Sequence, residues 1–159
     1  MKFLSRLLFC VLFLTPPALS GCAMYQAYAQ RSAIRDAKFS IRNVQFLGLD
    51  LVGANLLLTL QVENPTSSAI EMDRLQYGLW VNGTRAFQGE VSQKLMVPSH
   101  QARPLPIHIS LVYADLGTQL RQLLIEQRVK SWRVDGTAFF DTPFGSLEYP
   151  VRIERSEAP

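Results

Sequence analysis

Ser99 and His100 are the neighbouring residues whose types come nearest to nucleophilic catalysis. A serine nucleophile needs a base that the tertiary structure places, and adjacency in sequence does not orient its hydroxyl toward an imidazole. The chain also has no G-x-S-x-G motif, which marks a strained strand-to-helix turn in many hydrolases. We therefore interpret Ser99-His100 as a turn ahead of Pro104, and we predict no catalytic residue and no enzyme.

Metal ligands are sparse as well. The chain has 2 histidines, whereas zinc usually takes three or four protein ligands. His108 alternates with Ile107 and Ile109, which predicts that its side chain faces solvent. Asp135 and Asp141 lack the spaced carboxylates of a calcium loop, and no glycine-rich phosphate motif is present. The sequence thus predicts neither a metal site nor a cofactor.

The first residues have the parts of a secretory leader. Lys2 and Arg6 supply positive charge, and Leu7–Leu14 form an apolar run. Pro16 and Pro17 then end any helix. Because a membrane-spanning helix needs about 20 apolar residues, this shorter run indicates a leader rather than a span.

The segment Leu19-Ser20-Gly21-Cys22 follows that run and resembles the lipobox of bacterial lipoproteins. The resemblance implies cleavage between Gly21 and Cys22 and acylation of Cys22, so that this cysteine is a membrane attachment point and not a reagent. Two alternatives stay open. They are secretion without lipid, because Ala18-Leu19-Ser20 also suits a general signal peptidase, and an uncleaved anchor.

Residue 23 is alanine and not aspartate. Similarity to enterobacterial lipoproteins then implies a lipid-anchored protein of the bacterial cell envelope, in the outer membrane and facing the periplasm. Loss of residues 1–21 would remove Lys2 and Arg6, which lowers the net charge from +3 to +1. It would also remove Cys10, so that no thiol is left for a disulfide once Cys22 is acylated. So small a charge does not predict nucleic-acid binding.

We divide the remaining chain into a tether, residues 22–37, and one domain, residues 38–155. The tether is rich in alanine, which favours some helix, but it lacks a sustained apolar stripe. In the domain, apolar residues alternate with other residues, as at Leu56, Leu58 and Leu60. This period of two is typical of strands with one buried face, and the first strand is predicted to have an irregularity near Arg42-Asn43.

Asn82-Gly83 predicts a tight hairpin, because both residue types tolerate positive φ. Ala86–Val97 is then the partner strand, with Gly89 as a candidate bulge. Leu105, Ile107, Ile109 and Leu111 form the next alternating strand. Pro104 and Pro106 predict that it starts on an edge, because proline cannot donate a backbone hydrogen bond.

The spacing of apolar residues changes once along the domain, from the period of a strand to that of a helix. Leu116, Leu120, Leu123 and Leu124 form its apolar stripe, and Asp115 is predicted to cap its first turn. About seven strands with one helix between the late strands predict an all-β fold, an immunoglobulin- or fibronectin type III-like β-sandwich. A barrel made of strands alone is the alternative.

Several segments together resemble a known family. They are Leu58-Thr59-Leu60-Gln61-Val62-Glu63-Asn64-Pro65, Leu75-Gln76-Tyr77-Gly78-Leu79-Trp80-Val81-Asn82-Gly83, Val134-Asp135-Gly136-Thr137-Ala138 and Pro143-Phe144-Gly145. Their order is similar to that in the late embryogenesis abundant group 2 family, whose domain is also called the water-stress and hypersensitive-response (WHy) domain. The resemblance covers about Lys38 to Ile153.

The resemblance implies a folded, non-enzymatic module that protects proteins or membranes during desiccation, freezing or heat. Protein clients or phospholipid would be its partners, besides the membrane reached through the N-terminal lipid. The alternatives are binding or transfer of a lipid or other amphiphile in the periplasm, with an acyl chain between splayed sheets, and a role as a subunit of an envelope assembly.

Two groups of residues are candidates for contact with partners. Trp80 and Phe139 alternate against the apolar rows of their strands, so they are predicted on an outer face, either exposed or covered by the helix or a loop. Four cations near the helix could meet phospholipid headgroups, although ordinary solvated charge is the simpler interpretation. They are Arg121, Arg128, Lys130 and Arg133.

Overall fold

The computed structural model describes residues 19–156, with side chains from Met24 onward. The strands and helices of this range have the following bounds: α1 Leu19–Asp36, β1 Lys38–Leu49, β2 Gly53–Asn64, β3 Ile70–Val81, β4 Thr84–Val91, β5 Leu95–Val97, β6 Gln101–Val112, α2 Thr118–Ile125, β7 Ser131–Thr142 and β8 Gly145–Ser156. The apolar run of the predicted leader lies outside the described residues.

The strands form two antiparallel sheets that pack face to face. One sheet has the order β1-β2-β6, and the other has the order β4-β3-β7-β8, with β5 also paired to β3. β1 lies beside β8, and β6 lies beside β4 and β5. The fold is therefore the predicted all-β sandwich with a helix between late strands, and not a single closed barrel.

The core lies between the two sheets and follows from the alternating sequence. In β2 and β6, the cross-strand partners Leu58 and Ile107 both point inward and are at most 2% exposed. From the other sheet, Leu79, Val134 and Phe140 are 0% exposed. Each buried aliphatic or aromatic side chain contributes about 1.5–3 kcal/mol. The space between the sheets is consequently occupied by the protein's own side chains.

The first strand has the predicted irregularity, because the β1–β2 register shifts between Ile41 and Asn43. The strand ends at Leu49. The chain turns after Leu49, where the Asp50 carboxylate accepts the backbone N–H groups of Val52 and Gly53 at 2.7 Å. A side chain that bonds the backbone ahead of it favours a turn over a strand.

The Asn82-Gly83 hairpin is confirmed, with φ of 47° and 82° at these residues. Its return strand is not the single Ala86–Val97 segment predicted. It divides into β4 and β5, which pair with different parts of β3. The bulge is also not at Gly89, because the ladder shifts register at Trp80 and leaves Ala86 as the extra residue.

β6 confirms the edge position predicted from its prolines. It is the outer strand of the three-stranded sheet, and Pro104 and Pro106 lie opposite Gln61 and Thr59 of β2. Both prolines are exposed, so their rings do not displace the apolar row that β6 places in the core.

α2 closes one end of the sandwich, which we call the distal end. Leu120 and Leu124 of the predicted apolar stripe are buried on α2, and Leu123 is half-buried. Leu116 is buried as well, but it lies ahead of the helix. The predicted cap is wrong: Asp115 ends a turn of 3-10 helix, and Gly117 is the N-cap without a side-chain hydrogen bond. Asp115 cannot cap the helix because it belongs to the 3-10 turn, and the helix begins only at Thr118.

α1 lies at the opposite end, which we call the proximal end. The amide of its Gln30 donates to the Asp141 carbonyl at 3.5 Å, and Ala33 and Ile34 are 0% exposed. The last turn of the predicted tether thus packs into the core of the sandwich. Neither helix that the structure describes has the length and apolar character needed to span a membrane.

Candidate functional sites

The structure places the sequence candidates for catalysis and metal binding apart from one another. His100 is exposed at a tight turn with φ of 54°, where its backbone N–H donates to the Thr66 carbonyl at 3.0 Å. His108 points to solvent from β6, as predicted. Among residues 24–156, no group of three or more histidine, cysteine or acidic side chains is arranged to hold a metal ion.

The two aspartates weighed as calcium ligands form ion pairs instead. Asp135 lies 3.0 Å from Arg133 and 3.6 Å from Arg152. Asp141 lies 3.2 Å from the Lys94 ammonium, and its hydrogen bond is the main cause of a raised Lys94 pKa. Asp135 is thus paired with cations of its own sheet, and Asp141 with a cation of the β4–β5 connection.

Trp80 and Phe139 lie on the outer face of the five-stranded sheet, as predicted. Phe139 is only 8% exposed, and Trp80 is half-buried. Arg133 lies 4.3 Å from the Trp80 ring centre, and Arg74 lies 4.2 Å from that of Phe139. Both pairs are cross-strand neighbours, and cation–π contact of this kind stabilises by about 0.5–2 kcal/mol.

A polar groove runs along the same outer face. Its volume is about 780 Å³, and its lining includes Gln76, Trp80, Arg85, Glu90 and Asp135. Hydrogen bonds from Gln76, at 2.9 Å, and from Ser92, at 2.8 Å, lower the Glu90 pKa. The groove therefore holds side chains that are already paired with one another.

The four cations grouped by sequence do not form one surface. Arg133 is on the sheet face with Trp80, and Arg128 pairs with Glu126 at 3.1 Å. Lys130 is exposed. Arg121 is part-buried on α2, where it donates to the Leu116 carbonyl at 3.4 Å.

The distal end carries an apolar surface that sequence analysis did not identify. We define this distal apolar surface by its exposed members, Leu47, Leu49, Leu51, Val52, Val112 and Ile125, which are 38–100% exposed. They come from the β1–β2 turn, the end of β6 and the end of α2. Four of these six residues lie within the segment 47–52, and the closure of this end adds Val112 and Ile125.

Beside that surface lies a depression between the β1–β2 turn and α2. Its volume is about 570 Å³. Its lining consists of Leu49, Asp50, Leu51, Tyr113, Arg121 and Ile125. The β1–β2 turn is far from Tyr113 and Arg121 in sequence, so only the fold brings Leu49 and Leu51 to the same opening as these two residues.

The predicted attachment point is described only in part. Gly21 and Cys22 belong to the first turn of α1, and their side chains lie outside the described residues. Acylation at Cys22 and cleavage between Gly21 and Cys22 therefore stay predictions.

The two-sheet arrangement, with α2 between β6 and β7, defines the class of the protein as an all-β sandwich. Residues 59–155, more than half of the chain, match the family model described as late embryogenesis abundant protein (LEA_2). The chain belongs to this late embryogenesis abundant family. A comparison with curated protein sequences found no match.

Solved structures show the same fold. The solution structure of a protein from Arabidopsis thaliana is 16% identical, with a TM-score of 0.59, over 75% of this chain and 79% of that one. The solution structure of another protein, titled late embryogenesis abundant (LEA), is 17% identical, with a TM-score of 0.55, over 88% of this chain and 83% of that one. At such identities the likeness concerns the fold alone.

Proposed function

We propose that the chain is a non-enzymatic lipoprotein of the bacterial cell envelope, anchored through Cys22 in the outer membrane, whose WHy-type sandwich binds and shields other molecules under water stress. Membership of a generally non-enzymatic family supports the absence of catalysis. The observation that carries the proposal is the distal apolar surface, in which Leu51 is 100% and Val52 67% exposed.

The position of that surface favours contact with partners away from the anchor. Cys22 precedes the part of α1 that packs at the proximal end. The 12-residue strands β1 and β2 separate the two ends by about 40 Å at a rise of about 3.3 Å per residue. Contiguous exposed apolar side chains mark interaction sites, and their chemistry suits the apolar segments of unfolding proteins.

Anchoring also fits a protective role energetically. A module held at the membrane meets envelope proteins at a high effective concentration, so weak contacts with each client are sufficient. A rigid sandwich adds little ordering cost when it binds, because its core is already packed.

The anchor is tested by the intact mass of protein extracted from membranes. We expect a chain that begins at Cys22 and carries acyl mass there, and we expect a Cys22→Ser variant to lack that mass and leave the membrane fraction. A wild-type chain that begins upstream of Cys22, or that has no acyl mass, contradicts the anchoring.

The binding role is tested by the recovery of a client enzyme after freezing and thawing. Leu51→Asp is expected to remove most of the protection, because it places a charge in the distal apolar surface. Phe144→Asp is the matched control, since Phe144 is 58% exposed in the β7–β8 turn at the proximal end. Wild-type protection no greater than that of an inert protein, or equal loss in both variants, would refute the role.

A further inference from the structure

The distal depression has the size of a small-molecule site. Its volume of about 570 Å³ falls within the roughly 300–1,000 Å³ typical of ligand pockets. Leu49, Leu51 and Ile125 form its apolar part, and these three side chains are 38–100% exposed. An extended apolar ligand would cover side chains that the fold leaves in water.

Arg121 is a cation without an anion at this site. None of the ion pairs among residues 24–156 includes it, and its Nε is buried without a hydrogen-bond partner. Asp50, the acid that shares the depression, instead accepts the Val52 and Gly53 N–H groups. The guanidinium donates to the Leu116 carbonyl at 3.4 Å, which leaves its charge without an anion, and an anion from outside the chain would supply the partner that a charged group normally has.

Tyr113 supplies a second donor. It is 6% exposed, and its hydroxyl is buried without a hydrogen-bond partner in the described part of the chain. Buried polar atoms are satisfied in the large majority of cases. Tyr113 and Arg121 both line the depression, so the oxygens of one bound anion could supply the missing acceptors.

We propose that the distal depression binds a free long-chain fatty acid. Its carboxylate accepts hydrogen bonds from Arg121 and Tyr113, and its single chain lies along Leu49, Leu51 and Ile125. A carboxylate matches the planar guanidinium, and an acyl chain matches the apolar side chains that the β1–β2 turn and α2 both contribute to the depression. This site is at the end of the sandwich, because the space between the sheets is filled. Fatty-acid binding at this site goes beyond the proposed protective role and does not depend on that role.

The experiment uses the full-length protein in isolated membranes and a photoactivatable C16 fatty acid. After illumination, peptide mass spectrometry locates the label. We expect it at the β1–β2 turn and on α2, and we expect excess unlabelled fatty acid to compete. A photoactivatable phosphatidylglycerol, which has two chains, tests the membrane lipid as the alternative source of the acyl group.

Two variants and one control decide the role of the donors. Arg121→Gln is expected to lower labelling about tenfold, the loss expected for a charge-assisted hydrogen bond. Tyr113→Phe keeps the ring that packs in the core and is expected to lower labelling several-fold. Arg128→Gln removes an equal charge near the same end, outside the depression, and should label like the wild type. Thermal unfolding of each variant establishes that it is folded.

Three outcomes would overturn the proposal. They are equal labelling of folded Arg121→Gln and Arg128→Gln, label spread over all exposed apolar side chains without competition, and label from the two-chain lipid alone. If Arg121→Gln does not fold, Tyr113→Phe decides, because the loss of one hydroxyl leaves the packing intact. Protection of client enzymes can fail while this labelling succeeds, so the two proposals are tested separately.

Discussion

Asn64 joins the proximal loops of the two sheets. Its side chain is 0% exposed, and its amide donates to the carbonyls of Ser68, Val97 and Pro98 at 2.8–3.1 Å. Its Oδ1 accepts the backbone N–H and the hydroxyl of Thr66. One side chain thus provides hydrogen-bond partners for backbone groups of both the β2–β3 and the β5–β6 connection. No local sequence pattern could indicate the bonds to Val97 and Pro98.

Replacing Asn64 by alanine should therefore destabilise the protein strongly. We expect the free energy of unfolding to fall by about 3 kcal/mol, because several buried carbonyl and amide groups lose their partners. Asn55→Ala is the control, since Asn55 is exposed in the same strand, and it should change stability by no more than about 0.5 kcal/mol. Denaturant unfolding measures both, and equal losses would contradict the linking role.

Tyr77 makes stability depend on pH in the alkaline range. Burial raises the pKa of Tyr77 from 10.0 to about 12, so the folded state keeps the hydroxyl protonated where the unfolded chain ionises. The stability from this group is full below pH 10.0 and is lost as the pH rises toward 12.

Tyr77→Phe should remove that dependence. Between neutral pH and pH 12, we expect the wild type to lose roughly 1–2 kcal/mol more of its unfolding free energy than the variant loses. The measurement is denaturant unfolding of both proteins across this pH range. Parallel curves would show that Tyr77 does not cause the alkaline loss.

At the scale of elements, local chemistry sets the turns. The Asn82 Oδ1 atom accepts the N–H groups of Lys130 and Ser131 at 2.8 and 3.0 Å, so the hairpin turn also holds the start of β7. The sequence predicted this hairpin from its residue types, but not its second bond to a segment 48 residues away. The split of Ala86–Val97 into two strands likewise depends on distant pairing with β3.

Gly83→Ala tests the conformational demand of this turn. Gly83 has φ of 82° and open space around it, so the cost comes from the backbone conformation alone and should be about 1 kcal/mol. In the control, Gly48→Ala, the new methyl also meets nothing within 4 Å, but φ there is not left-handed. Thermal unfolding should show a lower midpoint only for Gly83→Ala; a matching fall in the control would contradict the argument.

At the scale of the whole molecule, one core joins both sheets. Leu58, in the three-stranded sheet, and Phe140, in the five-stranded sheet, are both 0% exposed, and the last turn of α1 adds Ile34 to the same cluster. Because each sheet forms the other's apolar lining, neither is expected to keep its structure alone. The protein should unfold as one cooperative unit.

Leu58→Ala tests this cooperativity. We expect a loss of about 2–5 kcal/mol, and we expect slowly exchanging amides of both sheets to lose protection together in hydrogen exchange. Leu57→Ala is the control on the outer face of the same strand, with a smaller loss of under about 1 kcal/mol. Loss of protection confined to β1, β2 and β6 would show that the sheets are separate units.

The sequence by itself determined the all-β class, the helix between late strands and the Asn82-Gly83 hairpin. These features depend on the spacing of apolar side chains along the chain and on the φ angles that each residue type tolerates. Both are local properties that can be read from neighbouring residues. Only the tertiary structure decided that Ile34 joins the core, that Arg133 covers Trp80 and that the β1–β2 turn meets Arg121 at the distal end. Such contacts join residues far apart in the chain, and their positions are set by how two twisted sheets pack and how α2 closes them.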